Sequence, residues 1–230
     1  MTKIVSIDTT TPIGSVALHE DGKLLGYLEF HLDKAHSKSL IPAIKNLLTI
    51  CETESKELSA IAISSGPGSY TGMRIGTSGA KGICFGLDIP LLAIDTLKSM
   101  ALGVSKYITR HDTLLCPMLD ARRMEVYTSL WSTKLEEILP VYPLIVEEDA
   151  FKQYLDQGKI VFFGDGAPKC REIITHSNAE FISDIVPSAQ NIGYLAFEEY
   201  EKGNFEDLAL YEPNYLKPFR TTTPRKTKLF

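Results

Sequence analysis

The chain has 230 residues, of which 44% are hydrophobic and 23% are charged, and its formal net charge is −5. That length holds one large domain or two small ones, with enough apolar residues for a sizeable core. The acidic balance argues against a stand-alone nucleic-acid-binding protein, and no apolar run approaches the roughly 18 residues of a membrane span. We therefore expect a cytoplasmic protein whose widely spaced cysteines are buried thiols: Cys51, Cys84, Cys116 and Cys170.

The first half of the chain predicts a three-stranded meander followed by alternating helices and strands. An Asp21-Gly22 pair marks the hairpin between the second and third strands, and apolar residues at helical spacing mark the first helix. The predicted elements are strands at 4–7, 14–19 and 24–30, a helix from 37 or 39 to about 51, a strand at 60–65, a helix over about 71–86 and a strand at 90–94. This order is typical of a ribonuclease H-like half.

The second half begins in the same way. A strand that ends in an aspartate, a turn and a returning strand occur at Asp8 and again at Asp120, which indicates an internal duplication. The predicted elements are strands at 114–119, 124–131 and 160–163, a helix at 169–175 and a final helix over about 188–202.

The most distinctive segment joins a buried strand to the second helix. Residues 65–76 read Ser-Gly-Pro-Gly-Ser-Tyr-Thr-Gly-Met-Arg-Ile-Gly. A glycine loop before a helix brings backbone amides towards an anion. This loop lacks the Gly-Lys-Ser/Thr ending of a P-loop and the spacing of a dinucleotide-binding loop, so it is only a weak indication of phosphate binding.

The second helix carries a stripe of glycines, Gly72, Gly76, Gly79 and Gly86. Each glycine inside a helix costs about 1 kcal/mol relative to alanine, so close approach of a neighbouring element should offset that cost. Packing within the domain and a helix–helix contact with another chain explain the stripe equally well, and both stay open at this point.

Together with four further motifs, the glycine segment resembles the bacterial TsaB (YeaZ) family of tRNA threonylcarbamoyladenosine biosynthesis proteins. The four are Ile-Asp-Thr-Thr at 7–10, Asp-Ala-Arg-Arg-Met-Glu-Val-Tyr at 120–127, Gly-Asp-Gly-Ala at 164–167 and Glu-Pro-Asn-Tyr-Leu at 212–216. The resemblance implies an α/β fold of the actin-like (ASKHA) class, with two ribonuclease H-like lobes of mixed sheets flanked by helices. We expect an N-terminal lobe at 1–104, a smaller C-terminal lobe at 105–219 and a basic, flexible tail at 220–230.

The resemblance also implies a function. Members of the family act as non-catalytic scaffold or activator subunits that bind the catalytic paralogue TsaD together with the ATPase TsaE. The complex transfers a threonylcarbamoyl group to N6 of the adenosine next to the anticodon, in tRNAs that read codons beginning with A. The implied partners are TsaD and TsaE, with tRNA reached only through the complex and a homodimer expected without TsaD. No cofactor of its own is implied, with ATP or ADP reserved for the interface of the assembled complex.

A missing histidine pair separates this chain from the catalytic paralogue. TsaD holds a metal with His-x-x-x-His, and Thr96 and Met100 stand at the matching positions here. None of the five histidines forms such a pair, and neither replacement substitutes for imidazole as a ligand of a borderline metal. We therefore predict no metal site and no catalysis; the alternative is an ATP-binding phosphotransferase-like or metallopeptidase-like enzyme of the actin-like class.

The two repeated aspartates suggest a vestigial nucleotide cleft between the lobes. Kinase-type relatives place carboxylates at these positions near a metal–phosphate group, and the candidate residues are Asp8, Thr9, Asp120, Gly164 and Gly166. The favoured alternative is that each aspartate binds the amides of its own turn.

The predicted partner surface is formed by the first helix and the glycine helix, which in the family meet the matching helices of TsaD. The candidate residues are Leu40, Ile44, Leu47, Leu48, Gly72, Gly76, Gly79 and Ile83. The basic tail is a second candidate contact, with tRNA phosphates, through Arg220, Arg225, Lys226 and Lys228, and a solvated tail is the favoured alternative.

Overall fold

Two five-stranded sheets organise the computed structural model, which describes residues 1–31, 36–110 and 112–217. The strands of the first sheet are β1 (Lys3–Asp8), β2 (Gly14–Glu20), β3 (Lys23–Phe30), β4 (Ala60–Gly66) and β5 (Leu91–Asp95). They lie in the order β3-β2-β1-β4-β5, with β1, β2 and β3 antiparallel and with β4 and β5 added in parallel. The carboxyl ends of β1, β4 and β5 therefore meet at one edge of the sheet.

The second sheet repeats this topology. Its strands are β6 (Leu114–Asp120), β7 (Glu125–Ser132), β8 (Glu137–Ile145), β9 (Ile160–Phe163) and β10 (Ala179–Ile182). Their order is β10-β9-β6-β7-β8, again with an antiparallel meander and two parallel strands. The predicted fold class, two ribonuclease H-like halves with mixed sheets, is confirmed.

Long helices cover both faces of the first sheet. One face packs against α1 (His36–Ile50) and α2 (Tyr70–Leu87), with β-sheet residues such as Val5, Val16 and Ile61 in the shared core. The other face packs against α6 (Ala189–Glu201), whose Ile192 and Leu195 reach Ile4 and Ile94. These apolar layers, buried on both sides, explain why β4 has an almost continuous apolar sequence.

The second sheet has a helix of moderate length on one face and only short helices on the other. Residues of α3 (Thr96–Ser105) form one core with β6, β7 and β9, and this core includes the buried Trp131. The opposite face is covered by α4 (Lys152–Leu155), α5 (Ala167–Cys170) and adjoining loops.

Some elements differ from the sequence-based prediction. Two edge strands, β8 and β10, were not predicted, because β8 contains Pro140 and Pro143 and β10 has only 4 residues. The helix expected over 169–175 is the short α5, Ala167–Cys170. The expected buried thiols are confirmed for Cys84, Cys116 and Cys170, whereas Cys51 is a free cysteine that is only partly buried.

The last long helix, α6, packs against the first half of the chain. This helix lies in the segment expected to form the second lobe, yet it packs on β1, β2, β4 and β5. The division near residue 104 stays a prediction, and α6 belongs by its contacts to the first sheet. The expected tail at 220–230 lies outside the described residues. Among the helices of the described part, none is both long and apolar enough to cross a membrane.

Candidate partner-binding surface and strand-end carboxylates

Asp8 lies at the carboxyl end of β1 and is fully buried. Its carboxylate accepts hydrogen bonds from the Thr10 amide (2.9 Å) and the Thr10 hydroxyl (2.8 Å), and from the Ser64 hydroxyl. Burial raises the pKa of Asp8, while these donors act in the opposite direction. The carboxylate thus ties the turn after β1 to the neighbouring strand β4, which agrees with the structural interpretation of this residue.

The glycine stripe of α2 packs against the same turn. A Cβ atom on Gly72 would lie 1.9 Å from the Thr9 carbonyl oxygen, and one on Gly76 would lie 2.5 Å from the Thr9 hydroxyl. That hydroxyl donates a 2.7 Å hydrogen bond to the Gly72 carbonyl. Of the two explanations for these glycines, packing within the chain therefore accounts for Gly72 and Gly76.

Asp120 occupies the matching place in the second sheet, but its surroundings are open. The residue is exposed, and its carboxylate accepts from the Arg122 amide (3.0 Å) and from the Lys169 ammonium. Its own amide donates to the Asp165 carboxylate at 2.9 Å. Lys169 also donates to the carbonyl oxygens of Arg123 and Glu125, both at 2.7 Å, so this cluster holds the β6–β7 hairpin.

Gly164 and Gly166 pack close to the end of β6. A Cβ on Gly164, which has φ +104°, would lie 2.2 Å from the Met118 carbonyl oxygen. A Cβ on Gly166 would lie 2.9 Å from the Leu119 carbonyl carbon. The short connection after β9 therefore needs both glycines for close backbone packing.

The vestigial nucleotide cleft stays a prediction. Two surface cavities of about 480 and 390 Å³ lie among the described residues, and neither is lined by any of the five predicted cleft residues. Asp8 and Thr9 are buried in their own turn, whereas Asp120 binds Lys169.

The helix pair α1–α2 has an inner face that the chain itself covers. Leu40, Ile44, Leu47 and Leu48 are between 1% and 9% exposed and belong to the core against the first sheet. Gly79 lies against the side chain of Leu40, with 3.1 Å between its hypothetical Cβ and Cδ2. The predicted partner residues on α1, and Gly72 and Gly76 on α2, are therefore covered by the chain itself, and Ile83 packs partly buried against the same core. Binding of a partner by this helix pair stays a prediction.

The outer face of the pair has different residues. On α2, Phe85 is 84% exposed, and Cβ atoms on Gly82 and Gly86 would meet nothing within 4 Å. On α1, Ile41 is 50% exposed and its Cδ1 lies 3.7 Å from the hypothetical Cβ of Gly79. We call Ile41, Gly82, Phe85 and Gly86 the outer helix face. An exposed phenylalanine beside two open glycines leaves room for another helix to approach closely.

A family model described as TsaD: tRNA N6-adenosine threonylcarbamoyltransferase matches residues 31–197, which is more than half of the chain. The chain belongs to the TsaD family. Within it, the chain is 39% identical over 141 residues to the tRNA threonylcarbamoyladenosine biosynthesis protein TsaB of Bacillus subtilis, covering 60% of this chain and 59% of that protein. It is 28% identical over 225 residues to TsaB of Escherichia coli, covering 94% of each. The similarity to TsaB is confirmed.

Solved structures agree with this TsaD-family fold. YeaZ from Pseudomonas aeruginosa superposes with a TM-score of 0.81 at 23% identity, covering 94% of this chain and all of that one. A second structure, titled an uncharacterized protein with similarity to peptidase YEAZ from Pseudomonas aeruginosa, superposes with a TM-score of 0.84 at 24% identity, covering 94% of this chain and 100% of that chain. At these identities the likeness shows the fold.

The two positions that the resemblance matches to the TsaD histidines lie in the core of this chain. Thr96 and Met100 are 0% and 1% exposed at the start of α3, and Met100 packs in the core around Trp131. The described residues contain no group of three or more His, Cys, Asp or Glu that could hold a metal ion. Nearby Asp95 caps α3 by accepting from the Lys98 amide at 2.7 Å, and burial raises the pKa of Asp95 to about 6.

Proposed function

We propose that this chain is a non-catalytic subunit for N6-threonylcarbamoylation of the adenosine next to the anticodon, acting by binding its catalytic paralogue together with the ATPase TsaE. Membership of the TsaD family and the similarity to TsaB proteins of tRNA threonylcarbamoyladenosine biosynthesis support the pathway. The packed Thr96 and Met100 at the matched positions support a subunit that leaves the chemistry to its partner.

The outer helix face is the observation that carries the binding role. Burial of one phenylalanine side chain in an interface contributes about 1.5–3 kcal/mol, and Phe85 is nearly as exposed as a side chain in a folded protein can be. Glycines with open space beside them allow the backbone of a second helix to come within a few ångströms of α2. A paralogue with the same helix pair would present a matching surface, so the same face also suits a homodimer.

Binding, in this proposal, shifts the partner towards its active arrangement. A subunit that binds one conformation of an enzyme more tightly raises the population of that conformation, without contributing any reacting group. Cytoplasmic location and contact with tRNA through the complex belong to the same proposal. The same proposal holds that the chain has no cofactor of its own and that ATP or ADP binds at the interface of the assembled complex.

The test compares two equally exposed aromatic residues. Phe85 on the outer helix face and Tyr107 beyond α3 are both 84% exposed. We expect Phe85→Asp to weaken the complex with the paralogue at least tenfold in a titration with light-scattering detection, and to reduce modification of tRNA in a reconstituted assay. Tyr107→Asp should leave both unchanged. Equal affinities for the two variants would contradict the surface, and failure of the unaltered chain to bind would overturn the proposed function.

The variant Gly76→Leu would not test the outer helix face. The added side chain would begin 2.5 Å from the Thr9 hydroxyl, so the variant would disturb the fold rather than the surface. Gly82→Leu is the glycine variant that tests the outer helix face, because its side chain enters open space there. The enzymatic alternatives have direct tests of their own: binding of Mg-ATP by the isolated chain, and elemental analysis of the purified protein for a bound metal.

A further inference from the structure

Residues 206–217, which we call the C-terminal strap, run along the edge of the first sheet after α6. The Glu206 amide donates to the Leu91 carbonyl at 2.9 Å, and the Asn214 amide donates to the Ser65 carbonyl at 2.7 Å. Leu208 and Tyr211 pack against the core of the first sheet. The strap thus runs from the first residue of β5 to the carboxyl end of β4 before the described part of the chain ends.

The same strap is attached to α2. Lys81 donates to the carbonyl oxygens of Ala209 (3.2 Å) and Tyr211 (2.9 Å). The rings of Tyr70 and Tyr215 have centroids 4.7 Å apart, and the Arg74 guanidinium lies 4.3 Å from the Tyr70 ring centroid. Contacts therefore follow α2 from its first turn to its third, along a flank next to the outer helix face.

The last described residue of the strap reaches the second sheet. The Lys217 ammonium forms an ion pair with Glu125 at the start of β7, and lies 5.3 Å from the ring centroid of Tyr127. Both charged side chains are partly shielded, at 32% and 25% exposure. Among the described residues this is the one ion pair between the strap and the second sheet. The ion pair lies on the β6–β7 hairpin, where Lys169 also donates hydrogen bonds to two backbone carbonyls.

Packing behind the strap is incomplete. A cavity of about 480 Å³ separates part of it from the first sheet, between Ser65 and Ala93 on one side and Tyr211 and Asn214 on the other. The buried hydroxyl of Tyr211 has no hydrogen-bond partner within the described structure, and Leu210 is 78% exposed. The strap is held by backbone and Lys81 hydrogen bonds, by two apolar contacts with the core and by one ring contact, so we expect it to open locally at a lower free energy than the core strands.

We propose that the C-terminal strap couples the partner-binding helix α2 to the β6–β7 hairpin of the second sheet, with Lys217 as the positioning residue. Lys81, which holds the strap, lies one turn before Phe85 and therefore on the same side of α2. A partner that covers Phe85 restrains Lys81 and Leu210, and with them the strap. Because Lys217 fixes the far end of the strap on Glu125, that restraint is passed to the hairpin. The inference rests on the proposed function for the identity of the partner.

Hydrogen exchange of the full chain, free and bound to its paralogue, tests the coupling. We expect exchange of the hairpin amides at 121–126 to slow at least threefold on binding in the unaltered chain. Lys217→Met should abolish this slowing, and Lys217→Arg, which keeps the charge, should restore it. Lys202→Met is the matched control, because it removes a 2.8 Å ion pair with Glu199 at the end of α6. It should behave like the unaltered chain.

The free chain provides a second measurement that needs no partner. Lys217→Met should increase exchange of the hairpin amides at least threefold without changing that of β1, whereas Lys202→Met should leave both unchanged. Unchanged hairpin exchange in free Lys217→Met would overturn the coupling whatever the partner does. A complex that forms without slowing hairpin exchange would overturn it and leave the proposed function intact; a chain that forms no complex would overturn both.

Discussion

The two sheets share one topology, but the chain uses their equivalent turns differently. After β1, Asp8 is buried and bound to Thr10 and Ser64, and the glycines of α2 close over the turn. After β6, Asp120 is exposed and is held by Lys169 from the short α5 region. A helix of 18 residues covers one turn, whereas a helix of 4 residues stands at the other. The same strand order therefore fixes where the carboxylates lie, and the length of the following helix decides whether they are accessible.

The covering helix α2 shows a similar contrast along its own length. Near the start of α2, Gly72 and Gly76 admit the turn after β1, while the last turns of the helix carry the exposed Phe85 beside the open Gly82 and Gly86. A single stripe of small residues therefore serves internal packing at one end and an open surface at the other.

The largest expected effect comes from adding a side-chain atom where α2 packs against the turn after β1. Gly72→Ala places a Cβ 1.9 Å from a backbone oxygen of Thr9, which cannot move without displacing the turn. We expect the free energy of unfolding in urea to fall by about 3 kcal/mol. Gly82→Ala is the matched control in the same helix, since its Cβ meets nothing within 4 Å, and it should raise stability by up to about 1 kcal/mol. Equal effects would show that the turn does not limit α2.

A smaller effect is expected from the aspartates. Asp8→Ala leaves the Thr10 amide and the Ser64 hydroxyl without their buried acceptor, so urea denaturation should show a loss of about 2 kcal/mol. Asp8→Asn keeps an acceptor and should lose less. Asp120→Ala, at an exposed ion pair, should change stability by less than about 1 kcal/mol. A larger loss at Asp120 than at Asp8 would reverse the comparison between the two turns.

The contribution of Asp95 to stability depends on pH. Its pKa is about 6 in the folded chain against an ordinary value of 3.8, so between these values the unfolded chain releases its proton first and stability falls as pH rises. Asp95→Asn still accepts from the Lys98 amide but cannot ionise. We expect the variant to gain up to about 2 kcal/mol relative to the unaltered chain as pH rises from 4 to 6, in thermal unfolding. A constant difference across that range would show that the carboxyl is not buried as described.

Much of the architecture could be predicted from sequence because its signals are local. Asp21-Gly22, the apolar runs of β1 and β4 and the repeated strand-aspartate-turn gave the first sheet and the duplication. The edge strand β8 was missed because prolines at 140 and 143 are tolerated only where a strand lacks a neighbour on one side, which a sequence does not reveal. The return of α6 to the first sheet is likewise a long-range contact.

The predicted partner residues lie largely on the inner side of α1 and α2, which the chain itself covers, whereas the exposed residues of the outer helix face were not predicted. Leu40 and Ile44 are apolar because they are buried, and the same spacing would mark an interface or a core. Only the fold distinguishes the two, because it shows which face the sheet already occupies. Phe85, exposed between Gly82 and Gly86, does not follow a helical apolar repeat and therefore gave no pattern to recognise.

The position of Trp131 gives the two lobes separate optical signatures. It is the one tryptophan in the sequence, it is 4% exposed in the core shared by α3 and the second sheet, and its indole N–H donates to Ser129 at 2.7 Å. The emission of this tryptophan, excited at a wavelength that tyrosine does not absorb, therefore reports the core of the second sheet, while far-ultraviolet circular dichroism weights the long helices on the first. Divergent melting curves from the two signals would resolve the order in which the halves lose their structure, without any label.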